Sequence, residues 1–269
     1  MAFLANLNDY SYFLSSTDVG DRYHWLGITN RVKGDFTSAL QSSQNALSFR
    51  LQQYGEEHPI TADSYHSLGD TQRAAGHFYA ALQSAQHALN IRRKLFGEEH
   101  PATADSYHSL SDTQRAAGDV HLALESGQHA LNIRLKLYGE EHPATADVYH
   151  SLSDTQRAAK DILSALKSGQ HALNIRRKLL GEEHPATADI YHSLGDTQRV
   201  AGNFHSAQQS AQHALNIRLK LLGEEHPATA DVYFSLGDIQ YAMQNFRSAR
   251  QLHEHGWKIR RKMFGKDEL

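Results

Sequence analysis

The sequence predicts an all-α solenoid of stacked antiparallel helix pairs, and three observations support this fold class. First, the block Gly-Glu-Glu-His-Pro recurs every 42 residues, and a fixed period of this size is typical of stacked supersecondary units rather than of one globular core. Second, apolar residues within each period follow helical spacing. Third, proline and glycine stand where helices begin and end. The five prolines are Pro59, Pro101, Pro143, Pro185 and Pro227.

Each period predicts two helices, as the second period shows. Pro59 begins the first helix, which extends to about Ala75, and Gly76 supplies the left-handed cap residue. The second helix begins near His77 and ends before Gly97. Other periods place a good N-cap residue before the second helix: Asp35, Asp119, Asp161, Asn203 and Asn245.

The signature of the helix pair resembles the tetratricopeptide repeat family. That signature has an aromatic residue, Leu-Gly three residues on, and then Gly, Ala and Ala. In the second period these residues are Tyr65, Leu68, Gly69, Gly76, Ala81 and Ala88. The 42-residue form, with His-Pro before the first helix and Ala-Leu-x-Ile-Arg-x-Lys in the second, is similar to the repeats of kinesin light chains. The resemblance implies a right-handed superhelical solenoid whose first helices line a concave wall.

The chain departs from the signature at a few positions. Ser111 and Ser153 replace the glycine that follows leucine, while Gly127 and Gly169 replace a small residue of the second helix. In the fourth period Lys160 replaces the capping glycine. A lysine held in a left-handed conformation should cost about 1 kcal/mol, so a glycine there should stabilise the fold.

The resemblance covers residues 13–264, which we interpret as a single solenoid of about six repeats. The predicted repeats are 13–54, 55–96, 97–138, 139–180, 181–222 and 223–264. Residues 1–12 are expected to cap the stack or to fray, and Ser16, Thr17 and Asp18 replace His-Pro and can cap the first helix. Residues 265–269 form a tail. Its Lys-Asp-Glu-Leu ending matches an endoplasmic reticulum retention address, but we interpret it as the start of a truncated repeat and expect a cytoplasmic location.

Four polar columns repeat at helical spacing on the predicted first helices, so all four lie on one helical face. The first aspartate column comprises Asp63, Asp105, Asp147, Asp189 and Asp231. The histidine column comprises His24, His66, His108, His150 and His192, with Phe234 at the next position. The second aspartate column comprises Asp70, Asp112, Asp154, Asp196 and Asp238. The arginine column comprises Arg31, Arg73, Arg115, Arg157 and Arg199, with Tyr241 at the next position.

Two interpretations of these columns remain open. As a peptide-binding groove, arginines would take carboxylates in two-pronged fashion, and aspartates would take basic side chains or backbone N–H groups. As internal neutralisation, Asp70 and Arg73 would simply pair, three residues apart. Phe234 and Tyr241 are candidate anchors at the last repeat, whereas Trp257 is expected to pack at the end of the stack.

Composition excludes several classes of function. A net charge of −3 gives no support for binding nucleic acid or an anionic membrane, and without cysteines there is no thiolate chemistry. Most of the nineteen histidines belong to repeated columns, so duplication explains their number and we predict no metal site. We also predict no cofactor and no enzymatic activity, because no phosphate-binding loop, nucleophile elbow or His-Glu-x-x-His motif occurs.

The sequence therefore predicts a scaffold that binds a protein or peptide ligand in its concave groove. The alternative is a sensor or oligomerisation region of a larger signalling receptor, since the resemblance extends to such receptors; self-association would then involve the terminal repeats. A third interpretation is a structural spacer. A weaker hypothesis is that the histidine column of His66 makes binding sensitive to pH near 6–7.

Overall fold

The computed structural model describes the backbone of residues 19–264 and the side chains of residues 19–262. This part of the chain consists of helices joined by short turns, which confirms the predicted all-α fold. The helices are α1 (Val19–Val32), α2 (Phe36–Tyr54), α3 (Pro59–Ala74), α4 (Phe78–Phe96), α5 (Pro101–Ala117), α6 (Val120–Tyr138), α7 (Pro143–Ala158), α8 (Ile162–Leu180), α9 (Pro185–Val200), α10 (Phe204–Leu222), α11 (Pro227–Ala242) and α12 (Phe246–Phe264). The predicted caps at residues 1–12 and at Ser16, Thr17 and Asp18, and the tail 265–269, lie outside the described residues.

The chain divides into two compact units, Met1–Gly139 and Glu140–Leu269. In the first unit, α1 packs on α2, α3 on α4 and α5 on α6, and each second helix packs on the next first helix. The second unit repeats this arrangement with α7 to α12. Each unit is thus a stack of helix pairs, while the single solenoid over residues 13–264 stays a prediction.

The His-Pro dipeptide begins the first helices by a defined hydrogen bond. His58 is the N-cap of α3, and its Nδ1 accepts the backbone N–H of Ile60 at 3.2 Å. Pro59 follows in the first turn, where its missing N–H costs nothing. The other four loop histidines make the same bond: His100, His142, His184 and His226.

Glycines end the helices as predicted. Gly76 and Gly97 have φ of 79° and 85°, in the left-handed region that glycine adopts without strain. Lys160 occupies the same conformation with φ of 63°, as the sequence predicted. Gln244, which the sequence analysis did not single out, does so in the last pair with φ of 64°. The backbone of Lys160 and Gln244 is therefore held in a conformation that is unfavourable for residues other than glycine.

The predicted N-caps of the second helices are only partly confirmed. Asp35 and Asp161 accept the backbone N–H three residues on, at 3.1 and 3.2 Å. Asp119 and Asn203 occupy the N-cap position as predicted, but their side chains make no capping bond. Their ψ angles are 61° and 60°, against 79° for Asp35 and 75° for Asp161. This small backbone rotation accompanies the loss of the bond.

Small residues meet where the two helices of a pair cross. A Cβ added to Gly69 of α3 would lie 3.4 Å from the backbone nitrogen of Ala85 in α4. In the α7–α8 pair Ser153 replaces the glycine, and Gly169 replaces the alanine; a Cβ on Gly169 would lie 3.0 Å from Ser153 Oγ. The space at the crossing is therefore filled in two ways. Either a glycine of the first helix faces an alanine of the second, or a serine of the first helix faces a glycine of the second.

Candidate functional site

The polar columns of the first unit meet around a pocket on one face of α3 and α5, which we call the inner face. The pocket has a volume of about 330 Å³. Six of the residues that line it belong to the predicted columns: His66, Asp70, Arg73, Asp105, His108 and Asp112. Two arginines of second helices, Arg92 and Arg134, also line it and were not predicted. The predicted spacing therefore brings side chains of neighbouring repeats together, as residues three and four apart share a helical face.

The remaining predicted residues occupy equivalent positions on other first helices. Asp63 lies on α3 and Arg115 on α5. On α7 lie Asp147, His150, Asp154 and Arg157; on α9 lie Asp189, His192, Asp196 and Arg199; on α11 lie Phe234 and Tyr241. Their contacts separate the columns into two groups with different roles.

The first aspartate column is paired with arginines that the sequence analysis did not assign. Arg92, near the end of α4, donates through Nη2 to Asp63 Oδ1 at 2.7 Å. The arginine side chain is only 8% exposed, whereas the aspartate is 55% exposed. We call this contact the arginine clamp. It recurs in the pairs Asp21–Arg50, Asp105–Arg134, Asp147–Arg176, Asp189–Arg218 and Asp231–Arg260.

The clamp joins three helices. Besides its bond to Asp63 of α3, Arg92 donates through Nη1 to the carbonyl of Ala102 at 3.1 Å and to Ser106 Oγ at 2.9 Å, both on α5. Arg218 likewise bonds the carbonyl of Ala228 at 2.6 Å. A buried arginine with several acceptors holds successive repeats together, so these aspartates serve the fold. In the sequence, the signal for the clamp is the arginine that directly follows Ile91 and recurs at the same position of the later repeats.

The second aspartate column has weaker contacts. Asp70 is mostly buried and lies 3.4 Å from Arg73 Nη2 and 3.5 Å from Arg31 Nη1. His66 Nε2 is 3.8 Å away, and Ser109 Oγ donates to Asp70 at 3.1 Å. Charge-assisted hydrogen bonds are normally about 2.7–2.9 Å long. We call this group the Asp70 cluster; each of its arginine contacts is looser than the clamp.

The equivalent clusters vary in tightness along the chain. Asp112 lies 3.5 Å from Arg115, and Asp154 lies 3.1 Å from Arg157. Ser193 of the next first helix donates to Asp154 at 2.6 Å, as Ser109 does to Asp70. The internal pairing that the sequence left open is therefore present, but mostly at long distance.

The arginines of these clusters share an unsatisfied donor. Their Nε atoms are buried, and none of them has a hydrogen-bond partner among residues 19–262. The four residues are Arg73, Arg115, Arg157 and Arg199. A buried donor without an acceptor costs about 1–3 kcal/mol, so the free protein leaves an interaction unmade at these four positions. Two clamp arginines, Arg50 and Arg260, also have a buried Nε without a partner, although their Nη2 atoms are bonded.

Burial and charge shift the pKa values within the Asp70 cluster. Burial alone would raise the pKa of the Asp70 carboxyl, but His66, Arg73 and Arg31 outweigh it, so the pKa lies below its ordinary value. Burial lowers the pKa of His66 despite the nearby Asp70, and it also lowers that of His192. These two histidines are thus mainly neutral near pH 7.

The inner face changes at the last two repeats. His192 Nε2 is 2.7 Å from Ser235 Oγ, so this serine contacts the histidine, whereas Ser193 contacts the aspartate Asp154. Within the described part of the chain, Asp196 and Arg199 form no ion pair within 4 Å. This repeat therefore carries the least paired guanidinium of the column.

The aromatic residues of the last pair pack against each other and remain accessible. Phe234 lies 5.4 Å from Trp257, edge to face, and the Arg260 guanidinium lies 5.3 Å above the Phe234 ring. Tyr241 is 63% exposed and touches Phe246 edge to face. Trp257 thus packs at the end as predicted, while Tyr241 stays exposed.

The structure also bears on metals and membranes. Over residues 19–262, no group of three or more histidine, aspartate and glutamate side chains is placed to hold a metal ion. No described helix combines the length and the apolar character that crossing a membrane requires.

Solved structures provide three informative similarities. A protein of Podosopora anserina, assigned as a kinesin light chain with nearly identical TPR-like repeats, is 25% identical with a TM-score of 0.64; the match covers 78% of this chain and 99% of that one. BtubC (BKLC) from P. vanneervenii is 22% identical with a TM-score of 0.69, over 87% and 94%. The apo form of RapI is 16% identical with a TM-score of 0.63, over 91% and 98%. The last two similarities show the fold alone.

The family comparison covers nearly the whole described chain. No curated protein matches the sequence at a significant level. The family model described as the tetratricopeptide repeat matches residues 22–94, 78–136, 115–178, 159–220 and 200–262. These overlapping matches follow the helix pairs from α1 to α12. The chain therefore belongs to the tetratricopeptide repeat family.

Proposed function

We propose that this chain is a protein-interaction scaffold that binds a peptide segment of a partner along the inner face of its first helices. Membership of the family supports the general role, because stacked repeats present long ordered surfaces to protein partners. Proteins of this family are generally scaffolds rather than enzymes. The more specific part of the proposal is that the peptide binds on the inner face, and the polar contacts of that face support this part.

The observation that carries the proposal is the column of buried, unsatisfied arginine Nε atoms beside loosely paired carboxylates. A peptide offers carbonyl and carboxylate oxygens that can accept from these guanidinium groups once the side chains turn outward. It also offers N–H groups that Asp70 and its equivalents can accept. Binding would replace weak internal contacts by better ones, which is a source of net affinity.

The predicted residues do not contribute equally in this proposal. His66, Asp70, Arg73 and their equivalents in later repeats are the contacts with the ligand. Asp63 and its equivalents are held by the clamp, although the Asp63 side chain is still 55% exposed. Tyr241, and Phe234 behind it, would anchor an apolar group of the ligand at the last repeat.

Pull-down with a triple variant tests the proposal. Arg115→Ala, Arg157→Ala and Arg199→Ala together should abolish capture of a specific partner that the wild type retains. A matched control removes three exposed arginines of second helices, Arg93, Arg177 and Arg250, and should retain that partner. Thermal melting confirms that both variants are folded.

Two outcomes would contradict the proposal. If the first triple variant retains every partner, recognition lies elsewhere. If light scattering shows concentration-dependent oligomers and a peptide array finds no ligand, the alternative of a sensor or oligomerisation region is favoured instead.

A further inference from the structure

A second groove lies on the other side of the first helices, and we call it the outer groove. In the first unit it lies between α4 and α5 and has a volume of about 450 Å³. Leu110 and Gln114 line it from α5. They stand two residues after His108 and Asp112, which is more than half a helical turn, so they face away from the inner pocket. This volume is within the range of ligand sites in proteins.

The second unit has an outer groove at the same register. It has a volume of about 550 Å³ and lies among α10, α11 and α12. Leu236 and Gln240 of α11 line it, and they are the copies of Leu110 and Gln114 three repeats later. Gln212 of α10 lines it as Gln86 of α4 lines the first. The two grooves are therefore repeated features, each contained within its own unit.

The chemistry of the outer groove differs from that of the inner pocket. Four side-chain amides line each groove, together with leucines and one histidine, which is His87 in the first groove and His255 in the second. Among the described residues, no lysine, arginine, aspartate or glutamate lines either groove. The inner pocket, by contrast, is lined by charged side chains of both signs. An amide carries the same donor and acceptor as a peptide group, without charge. This lining is complementary to a neutral polypeptide backbone rather than to a charged ligand.

One acceptor in the first outer groove has no partner. Gln72 and Gln198 accept hydrogen bonds from Ser84 and Ser210, each at 2.8 Å. The equivalent Gln114 is only 9% exposed, and its Oε1 makes no hydrogen bond with any described residue. The same holds for Oε1 of the next copy, Gln156. Leaving a buried acceptor unpaired is unfavourable. The last side-chain torsion of glutamine is broad, so a small rotation turns this oxygen toward the groove.

We infer that the outer groove is a second binding surface, which takes an extended, uncharged segment of a partner protein. Peptide N–H groups of that segment donate to Gln114 Oε1, and its carbonyls accept from the exposed amides of α4, including Gln83. An apolar side chain at an alternate position packs on Leu82 and Leu110. This site is separate from the inner face and does not depend on the function proposed for it.

The test uses blocked peptides of alternating residues as probes. A neutral glutamine–leucine peptide and a charged glutamate–leucine peptide are each titrated into the full chain, and side-chain amide resonances are followed by NMR. The neutral peptide should shift the glutamine amides of the groove and bind at least about tenfold more tightly than the charged one, a difference of about 1.4 kcal/mol. Gln114→Met should weaken its binding by a similar factor.

Two further variants make the result decisive. Gln86→Lys changes an exposed residue of the rim, so it leaves folding intact and should also weaken binding of the neutral peptide. Arg115→Ala, on the inner face of the same helix, should leave that binding unchanged. Equal binding of both peptides, no shift up to about 1 mM peptide, or binding that survives both Gln114→Met and Gln86→Lys would overturn the inference.

Discussion

An aspartate near each end of α3 contacts an arginine, and the two contacts differ. At the start of α3, the clamp joins Asp63 to the buried Arg92 at 2.7 Å, with further acceptors on α5. Near its end, Asp70 and Arg73 lie 3.4 Å apart, and the arginine Nε is unsatisfied. The number of satisfied bonds, rather than the residue types, separates the contacts that join the repeats from those that we propose for recognition.

Removing the clamp should have the largest effect. Arg92→Ala leaves Asp63 and two acceptors on α5 without their donor, and we expect a loss of about 2–4 kcal/mol in the free energy of unfolding. Arg93→Ala removes an exposed arginine next to it and should cost less than about 1 kcal/mol. Chemical denaturation measures both. Equal losses for the two variants would remove the distinction between the clamp and an exposed ion pair.

A change in the helix crossing should destabilise the fold without touching either arginine column. Gly169→Ala places a Cβ 3.0 Å from Ser153 Oγ and 3.2 Å from Leu194 Cδ1, so we expect a loss of about 1–3 kcal/mol. Adding Ser153→Gly recreates the glycine–alanine crossing of α3 and α4 and should recover most of it. The melting temperatures of the single and double variants test both expectations. A double variant no more stable than Gly169→Ala would show that the two positions are independent.

Relieving the strained turn between α7 and α8 should change the free energy of unfolding by a smaller amount, and here the protein should become more stable. Lys160→Gly relieves a residue with φ of 63° and should stabilise the protein by about 0.5–1 kcal/mol. Gln244→Gly, with φ of 64°, is a second site of the same kind. Partner capture by the inner face should stay unchanged while the melting temperature rises. An unchanged melting temperature for both variants would contradict the strain argument.

Acid should produce the smallest effect, and it should come from the Asp70 cluster rather than from the clamp. Because burial lowers the pKa of His66 in the folded state, the unfolded chain binds the proton more readily. Stability is therefore full above pH 6.5 and falls as the pH drops through that value. His66→Gln should flatten the dependence between pH 7.5 and 5.5 relative to the wild type. An unchanged slope in this variant would contradict this assignment.

The sequence predicted most of the fold because its determinants are local. A histidine followed by proline starts a helix through its own neighbours, and Gly76 or Lys160 ends one through its own φ angle. The period then fixes which helices pair. Residue type alone could not predict whether an N-cap side chain forms its capping bond, because that bond depends on a small rotation of the backbone. Asp119, which makes no such bond, is an example.

The candidate site was predicted less completely because its roles depend on contacts distant in sequence. The four columns were found from their spacing, but Asp63 and Arg92 are 29 residues apart, so their pairing became visible only in three dimensions. Ser153 and Gly169 were noticed as separate departures, and the structure shows that they share one crossing. The Oε1 atom is unpaired in Gln114 and Gln156 but bonded in the copies Gln72 and Gln198, so residue type alone does not reveal it.

Double-mutant cycles on the two aspartate–arginine pairs of α3 and α4 test the central claim most directly. Unfolding free energies of the single and double alanine variants give a coupling energy for Asp63 with Arg92 and for Asp70 with Arg73. We predict about 1.5–3 kcal/mol for the first pair and less than about 0.5 kcal/mol for the second. A coupling for Asp70 with Arg73 that equals or exceeds that of Asp63 with Arg92 would contradict the division between clamp and recognition surface.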